Sequence, residues 1–377
     1  MRKLLLLLRV SIKKYAPLLS KLFGITLLTG QQTKVSLSVN ATALLHDQGD
    51  IVTLHPVTSV TKADKQLFRE ETISTASRYV WRLENTDRTM QQLPNGSLLV
   101  HKEVLDLGFG NSAALKDLVK RAPRQARFAS VLIAPWPHYW TGYFDYIFFI
   151  ALNICRIKNE LSAEEFAEAV VCYPLFNSSF EREILDLLGV KRANVLDSRH
   201  SNVVFNSCLI GNIDSWFYPN KHDVAAFQAI VRSIVKDKQS ENNRIYIQRT
   251  GRRKVINENE LLVLLKKFDF TIIADVPRTF AEQILLYYNA SFIIGPHGAS
   301  FANILGCRAG THLFELFANT YMPGYFRYLA HLLELNYAAY CDGQPSGSDH
   351  SHVADDVFIN LEELEQQLSG LLCAALV

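Results

Sequence analysis

The chain has 377 residues, which is too long for one ordinary hydrophobic core and predicts roughly two domains. Hydrophobic residues make up 49% of it and charged residues 20%, a balance that excludes an intrinsically disordered protein. The formal net charge of +2 argues against a dedicated nucleic-acid binder. The six cysteines include no CxxC pair, so we expect no zinc site or redox motif but reduced, buried thiols in a cytosolic protein.

The first 30 residues form a basic amphipathic segment. The leucine run of MRKLLLLLRV stops at Arg9, which is too short for a signal-peptide core of roughly 7–15 apolar residues or a spanning helix of about 20. Pro17 would break or kink a helix here. Two interpretations stay open: a helix lying on an anionic membrane, and a helix packed on the protein's own core. On a helical wheel, one arc holds the apolar residues Leu4, Leu8, Ile12, Tyr15, Leu19 and Leu22, and the other side holds the basic residues Arg2, Lys3, Arg9, Lys13, Lys14 and Lys21.

Residues 31–218 are predicted to form the first domain. Short strand-like runs such as GSLLVHKEVLDLG follow the Asn95-Gly96 turn. The segment VLIAPWPHYWTGYFDYIFFIALNICRI, residues 131–157, predicts a buried strand, a Pro-Trp-Pro loop and a long apolar helix. Further helix and strand patterns follow, up to the strand NVVFNSCLIG. The polar and aromatic segment near residues 214–222 is the candidate domain boundary.

Beyond the boundary, residues 219–377 are predicted to form the second domain. Strand and helix patterns alternate regularly in this part of the chain. RIYIQR, FTIIAD, SFIIGP and THLFELF are strand patterns, and ENELLVLLKKF, TFAEQILLYYNA and SFANILGC are helix patterns between them. Strands alternating with helices imply right-handed βαβ units on a parallel sheet. The strands are apolar throughout, as strands covered on both faces should be.

The loop after SFIIGP has the residues of an anion site. His297, Gly298, Ala299 and Ser300 stand where a strand ends and a helix begins. Ligands of such sheets bind at the carboxyl ends of the strands, and a helix N-terminus favours a phosphate. Gly298 and Ala299 let an anion approach the backbone, and His297 and Ser300 could add donors. The alternative is a plain strand–helix turn.

Two further elements favour a nucleotide-diphosphate pocket. RIYIQRTGRR places Arg249, Arg252 and Arg253 just beyond the end of a strand, and arginine makes bidentate contacts to phosphate. Glu315 closes THLFELF, the strand after the His-Gly loop, where a carboxylate could accept from a ribose diol. The alternatives are a solvated basic loop and a surface glutamate.

These segments together resemble glycosyltransferase family 61. That family carries an Ile-Tyr-Ile-x-Arg strand, an Arg-Arg-x-x-x-Asn-Glu segment, a Gly-Pro-His-Gly-Ala-x-x-x-Asn turn and a Gly-Thr-x-x-x-Glu-Leu strand. The ordered set spans residues 244–317, about a fifth of the chain. The matching positions are Arg249, Arg252 with Arg253, Asn257, His297 with Asn303, and Glu315.

Upstream the resemblance is thin. The family motif Asn-Tyr-x-His-Trp-x-x-Asp meets HYWTGYFD here, so Tyr139 and Asp145 match. Thr141 stands where the family histidine is expected, and Gly142 where the tryptophan is. Asp145 is therefore the candidate catalytic base, and His138 is a second option. The alternative is an aromatic core segment.

The resemblance implies a GT-B architecture, in which two Rossmann-like α/β domains face each other across a cleft. It places the acceptor in the N-terminal domain, residues 31–218, and the nucleotide-sugar in the C-terminal domain, residues 219–377, leaving open that the last helix packs back on the first domain. The family chemistry is inverting transfer, usually from a UDP-sugar. No cofactor or metal is expected, because the chain has no Asp-x-Asp.

The missing spanning segment favours a bacterial-type enzyme that builds surface polysaccharide at the cytoplasmic membrane face. The partners would be a nucleotide-sugar, a saccharide or lipid-linked acceptor and an anionic membrane surface, with no nucleic acid. Two rivals remain. One is a catalytically degenerate nucleotide-sugar-binding protein, and the other is a Rossmann oxidoreductase, which the missing GxGxxG disfavours.

Overall fold

The computed structural model describes residues 15–57, 68–108, 110–119, 124–212, 217–236, 238–318, 320–341 and 355–374. It divides into two compact units. Unit 1 comprises Met1–Asp50 and Thr75–Phe227, and unit 2 comprises Ile51–Ser74 and Gln228–Val377. The start of the predicted basic amphipathic segment, residues 1–14, lies outside the described residues.

Unit 1 contains a mixed six-stranded sheet and a smaller four-stranded sheet. The strands of the small sheet are β1 Thr26–Leu27, β6 Gln91–Gln92, β7 Leu98–Val100 and β8 Glu103–Val104. Those of the large sheet are β2 Ala41–Asp47, β5 Arg78–Glu84, β9 Gln125–Ile133, β10 Val170–Tyr173, β11 Val195–Asp197 and β12 Ser201–Gly211. The spatial order of the large sheet is β11-β10-β9-β12-β5-β2, in which the first four strands are parallel. β12 alternates in burial over its first six residues and is fully buried over its last five, as expected where one end of a strand is covered on both faces.

The helices of unit 1 after β9 follow the predicted order, whereas those at Gly30–Asn40 and Ala114–Val119 were not predicted. The apolar run after β9 forms one continuous helical segment from Tyr143 to Asn159, with a π-helical stretch, Tyr146–Ala151, in its interior. The side chains of this stretch are buried, which explains the absence of a polar face in the sequence. The helices are α1 (residues 15–21), α2 Gly30–Asn40, α3 Ala114–Val119, α4 Tyr143–Asp145, α5 Leu152–Asn159, α6 Ala163–Glu168 and α7 Ser179–Leu188, with a 3₁₀ turn at Arg192–Asn194.

Unit 2 is built on a five-stranded, fully parallel sheet, of which the alternating pattern predicts the first four strands in chain order. Its strands are β13 Asn243–Ile247, β14 Phe270–Ile273, β15 Ala290–Pro296, β16 His312–Phe317 and β17 Asn336–Cys341. Their spatial order is β14-β13-β15-β16-β17, so the direction of winding reverses between β13 and β15. This is the doubly wound order of flavodoxin-like sheets.

The helices of unit 2 connect these strands. Local sequence sets their ends: α10, for example, begins with a capping box in which Thr279 and Glu282 satisfy each other's backbone N–H groups. The helices are α8 Lys221–Arg232, which begins in unit 1, α9 Glu258–Lys267, α10 Phe280–Asn289, α11 Tyr325–Leu332 and α12 Leu361–Ala374, with 3₁₀ helices at Ser233–Val235 and Ala299–Gly306.

Two placements in unit 2 bear on the domain boundaries expected from the sequence. The last helix, α12, packs within unit 2, where Leu364 and Leu368 join the core formed by the sheet and α9. Residues 51–74, which the sequence assigned to the first domain, group with unit 2. They contribute the antiparallel pair β3 Ile51–Leu54 and β4 Glu71–Ser74, and buried Phe68 packs near Phe317.

Two further sequence predictions concern the cysteines and the absence of a membrane-spanning helix. Five of the six cysteines are buried free thiols, so the prediction of buried cysteines is wrong only for Cys373, which is exposed. None of the helices in the described ranges has both the length and the apolar character that crossing a bilayer requires.

Candidate functional site

The predicted anion-binding residues of unit 2 meet where the winding of its sheet reverses. Arg249 lies two residues beyond the end of β13, and His297 directly follows β15. β13 and β15 are neighbours in the sheet and run in parallel. In open α/β sheets, ligands bind outside the carboxyl ends of the strands at this switch point. The topology therefore places Arg249 and His297 at the position where ligands of open α/β sheets bind.

Arg249 packs directly against the His-Gly loop. A Cβ at position 298 would overlap Nη1 of Arg249, so the missing side chain of Gly298 leaves room for the guanidinium. Gly298 itself has an extended backbone with φ of −176°, so the requirement is for space and not for an unusual conformation. Nε of Arg249 donates to the carbonyl of Arg252, 2.5 Å away, and Nη1 lies against the loop at Gly298.

Arg253 is a buried cation with no hydrogen-bond or ion-pair partner among the described residues. Only 8% of the residue is exposed, its Nε is buried without a partner, and its guanidinium carbon lies 5.6 Å from the centre of the Tyr321 ring. Burial, together with the charges of Arg249 and exposed Arg252, lowers the pKa of Arg253 to about 10. An unpaired buried cation is expensive, so this arrangement suits a bound anion.

His297 is held by a buried carboxylate. Its Nδ1 lies 2.5 Å from Oε1 of Glu315, and Oε2 of Glu315 accepts a hydrogen bond of 2.7 Å from the hydroxyl of Tyr337. An ionised carboxylate can only accept, so Nδ1 of His297 carries the proton. Glu315 is 0% exposed and both of its oxygens are engaged within the protein. Glu315 therefore has no open carboxylate oxygen for the predicted hydrogen bond from a ribose. It holds His297 instead.

Aromatic side chains surround the imidazole. His297 is 4% exposed, and its ring centre lies 5.5 Å from that of Tyr321, the same ring that faces Arg253. Because both contacts involve one ring centre, the imidazole and the guanidinium of Arg253 are no more than about 11 Å apart. The structure thus places His297 and Arg253 around one aromatic ring, and Arg249 against Gly298, the residue after His297. The other rings around His297 are Phe317 at 5.4 Å, Phe326 at 5.5 Å and Tyr325 at 5.9 Å.

The remaining residues of the loop differ in how deeply they are buried. Ala299 and Ser300 open the 3₁₀ helix Ala299–Gly306 and are half-buried. Asn303 is fully buried, and its amide donates a hydrogen bond of 2.9 Å to Gln283 of α10. This contact gives Asn303 a role in packing the 3₁₀ helix on α10. Its predicted contact with the nucleotide-sugar stays a prediction.

In unit 1, Asp145 is the third residue of the helical segment that begins at Tyr143. Its carboxylate accepts from the backbone N–H of Gly142, the N-cap, and a Cβ on Gly142 would overlap Oδ2. Burial raises the pKa of Asp145, and the Gly142 hydrogen bond partly offsets this. The π-helical stretch starts at the next residue, and such stretches often occur at functional sites.

His138 has the opposite hydrogen-bonding pattern to His297. Its Nδ1 accepts from the backbone N–H groups of Tyr139 at 2.9 Å and Trp140 at 3.2 Å. Nδ1 must therefore carry the lone pair, and the proton of the neutral ring is on Nε2. In this tautomer His138 is a donor, which weakens its candidacy as a general base.

Sequence reasoning missed Asp117 on α3. The Tyr139 hydroxyl donates to both Asp117 oxygens, at 3.0 and 2.9 Å, and the backbone N–H of Asn95 donates to one of them. Burial raises the pKa of Asp117. No motif could have signalled this contact, because Asp117 and Tyr139 lie on separate elements and meet only through folding.

One comparison with known proteins matches the part of the chain that contains these residues. The glycosyltransferase 61 family model matches residues 136–314, which include the Tyr139–Asp145 motif, the arginine loop and the His-Gly loop. This match confirms the resemblance to glycosyltransferase family 61 and implies a glycosyltransferase. No curated protein matches the chain.

Proposed function

We propose that the protein is an inverting glycosyltransferase that moves a hexosyl or pentosyl group from a nucleotide-sugar to a hydroxyl of a saccharide acceptor. The donor would be a UDP-sugar, with its diphosphate held by Arg249, Arg253 and His297 and by the start of the 3₁₀ helix. Arg252 would close the pocket from the solvent side. The proposal takes its reaction class from the family match.

The buried, unpaired guanidinium of Arg253 carries the proposal. It lies beside two further arginines and near a histidine, and burial also lowers the pKa of Arg249. Folding would not maintain such a cluster of positive charge for stability alone. A diphosphate supplies the missing negative charge and fits the bidentate geometry of guanidinium groups.

The same groups suit the departing diphosphate. In an inverting transfer the bond from the anomeric carbon to the diphosphate breaks while the bond to the acceptor oxygen forms, and negative charge builds up on the leaving group. Positioned cations and donors stabilise that charge in the transition state. The proton on Nδ1 faces Glu315, so Nε2 of a charged His297 would donate to the diphosphate. These groups support a metal-independent mechanism, as does the absence of Asp-x-Asp.

We assign the acceptor to unit 1 and the role of base to Asp145, in a GT-B arrangement of the two units. Unit 1 has an open cavity of about 490 Å³ whose lining includes the polar side chains of Asn85, Gln91, Asp117 and Arg124. Such groups match the hydroxyls of a saccharide. The contact from Asp117 to Tyr139 connects this cavity with the motif that contains Asp145.

A second candidate function is a nucleotide-sugar-binding protein without transfer activity. Two observations favour it: Thr141 stands in place of the family histidine, and the Asp145 carboxylate is engaged by the N-cap of its own helix. Nucleotide binding without transfer or hydrolysis of any sugar would select this candidate.

We further propose that the enzyme acts in surface polysaccharide synthesis, such as that of capsule or lipopolysaccharide, and lies on the inner face of the cytoplasmic membrane. Leu18 is 66% exposed and Leu22 is 80% exposed, near the exposed Lys21. Apolar side chains beside basic ones favour anionic bilayers. Equal binding to anionic vesicles by a chain lacking residues 1–24 would contradict this placement.

The decisive experiment is a thermal-shift screen of the full chain against nucleotides and nucleotide-sugars. A ligand at 100 times its dissociation constant adds about 2.7 kcal/mol to the free energy of unfolding. We expect UDP and one UDP-sugar to stabilise the protein, and Arg253→Met to remove the shift. No stabilisation by any nucleotide would overturn the proposal.

A further inference from the structure

Tyr337 lies directly behind the His297–Glu315 pair. It is on β17, the edge strand next to β16, which carries Glu315. In the register of these parallel strands Tyr337 pairs with Leu313, and Glu315 pairs with Ala339. Tyr337 and the strand partner of Glu315 are two residues apart, so Tyr337 and Glu315 point to the same face of the sheet. The register therefore brings the phenol to the carboxylate.

The three side chains form a continuous hydrogen-bonded chain. Nδ1 of His297 meets one oxygen of Glu315, and the hydroxyl of Tyr337 meets the other at 2.7 Å. Burial, followed by the charge of Glu315, holds the pKa of Tyr337 well above its ordinary value. The phenol therefore stays protonated and acts as the donor in this bond.

Residues of the 51–74 segment hold the phenol ring in place. The ring of Phe68 lies 6.0 Å from Tyr337 and 6.0 Å from Phe317, which stacks on His297. The backbone around Phe68 is itself fixed, because the buried guanidinium of Arg327 donates to the carbonyl of Arg69 at 2.6 Å. The hydroxyl is thus held at the carboxylate by packing on the far side of the ring.

We propose that Tyr337 is a positioning residue of the donor site, which sets the charge and orientation of His297 through Glu315. Its hydroxyl stabilises the ionised carboxylate, and the ionised carboxylate keeps the proton on Nδ1. A charged imidazole then has Nε2–H available for the diphosphate. Without the hydroxyl the buried carboxylate loses one of its two hydrogen-bonding partners, so the proton between Nδ1 and Glu315 shifts toward the carboxylate and the ring becomes less positive. This inference rests on the proposed donor site.

The test uses the full chain with ¹⁵N-labelled histidine, since the nitrogen chemical shift distinguishes a protonated ring nitrogen from one with a lone pair. The His297 signals are assigned from their loss in His297→Gln. In the wild type at neutral pH we expect the chemical shift of a protonated Nδ1. In Tyr337→Phe we expect the Nδ1 chemical shift to move toward the value of a nitrogen with a lone pair. The dissociation constant of UDP should rise roughly 2- to 10-fold in that variant, the range for one lost hydrogen bond.

Tyr340→Phe is the matched control. Tyr340 is fully buried on the same strand, and its hydroxyl accepts a 2.7 Å hydrogen bond from the backbone N–H of Asn360, away from Glu315. We expect it to lower the melting temperature as Tyr337→Phe does, with unchanged His297 shifts and UDP affinity. Equal effects of the two variants on His297 and on UDP would overturn the assignment.

The measurements separate this inference from the proposed function. If wild-type protein binds no UDP, the donor site fails, while the nitrogen shifts still report whether Tyr337 controls His297. If UDP binds and Tyr337→Phe changes neither the shifts nor the affinity, the positioning role is wrong. A lone-pair nitrogen at Nδ1 of the wild type would overturn the inference without any variant, so the test does not depend on Tyr337→Phe folding.

Discussion

Arg156 is buried in unit 1 and Arg253 is buried in unit 2, and the surroundings of these two side chains differ sharply. In unit 1, Arg156 is 4% exposed, donates through Nε and Nη2 to Asp223, and donates through Nη1 to Asn212. In unit 2, Arg253 is 8% exposed and faces the ring of Tyr321, and within the described part of the chain it has no hydrogen-bond or ion-pair partner. Removing one partner of a buried, hydrogen-bonded charge is costly, whereas a buried charge without partners is a candidate for binding a ligand.

The same contrast applies to the two histidines. His138 accepts backbone hydrogen bonds at Nδ1, and His297 donates from Nδ1 to Glu315. The residue type is identical, and the partner alone decides which ring nitrogen carries the proton. The comparison therefore shows opposite hydrogen-bonding patterns at Nδ1 in the two units, and the proposed function places the anion site in unit 2 and the base in unit 1. The following predictions test this division, in decreasing order of effect.

The largest effect is expected at Asp145. Asp145→Asn keeps the shape of the side chain and removes its basicity, so turnover should fall about 100- to 10,000-fold, equivalent to about 2.7–5.5 kcal/mol of barrier. UDP affinity should stay unchanged, because the donor site lies in unit 2. Initial rates of transfer and calorimetric titration with UDP give the two quantities. Full turnover in this variant would remove Asp145 as the base and would turn attention to other groups of unit 1.

The second effect concerns stability. Arg156→Met leaves Asp223 with only the Arg78 contact at 3.1 Å, so the free energy of unfolding should fall by about 3–5 kcal/mol. The matched variant is Arg253→Met, which removes a buried cation that has no partner to lose. We expect it to keep or raise the stability of the protein without ligand. Denaturant unfolding measures both variants, and an equal loss in the two would break the comparison between the arginines.

The third effect is on nucleotide binding. Arg249→Ala should weaken UDP binding by about 1.5–3 kcal/mol, the range for hydrogen bonds to charged groups. Arg308→Ala is the control in the same unit, because Arg308 donates to Asn242 and to the carbonyl of Tyr288 instead of facing the loop. Calorimetry should show unchanged affinity for the control. If Arg249→Ala binds UDP as tightly as wild type, the diphosphate does not lie at this loop.

The smallest effect is expected at Gly298. Gly298→Ala would push the guanidinium of Arg249 aside, and because that group is the end of a flexible side chain, the fold should tolerate the change. UDP affinity should fall by about 1 kcal/mol, less than for removal of Arg249. Gly251→Ala has no atom within 4 Å of its added Cβ and serves as the control in the arginine loop. Similar UDP affinities for these two variants would argue that the gap at Gly298 has no part in binding.

The sequence by itself determined the alternating strands and helices of unit 2 and the loops at the ends of its strands. Apolar periodicity and turn residues are local properties, and parallel pairing follows from the β–α alternation. It therefore predicted that Arg249 and His297 would lie at one edge of the sheet. It could equally predict the strand–loop–helix of residues 131–157, because that pattern is also local.

Only the tertiary structure decided what the charged groups of the site do. Glu315 was assigned to a ribose because its place at the end of a strand was known and its partners were not. Its burial between His297 and Tyr337 depends on the register of β16 and β17, which no local pattern contains. The same reason applies to Asp117 beneath Tyr139 and to Phe68, which comes from a segment more than two hundred residues away from its partners. Long-range pairing and burial decide hydrogen-bond partners, and hence the role of each polar side chain, only after the chain has folded.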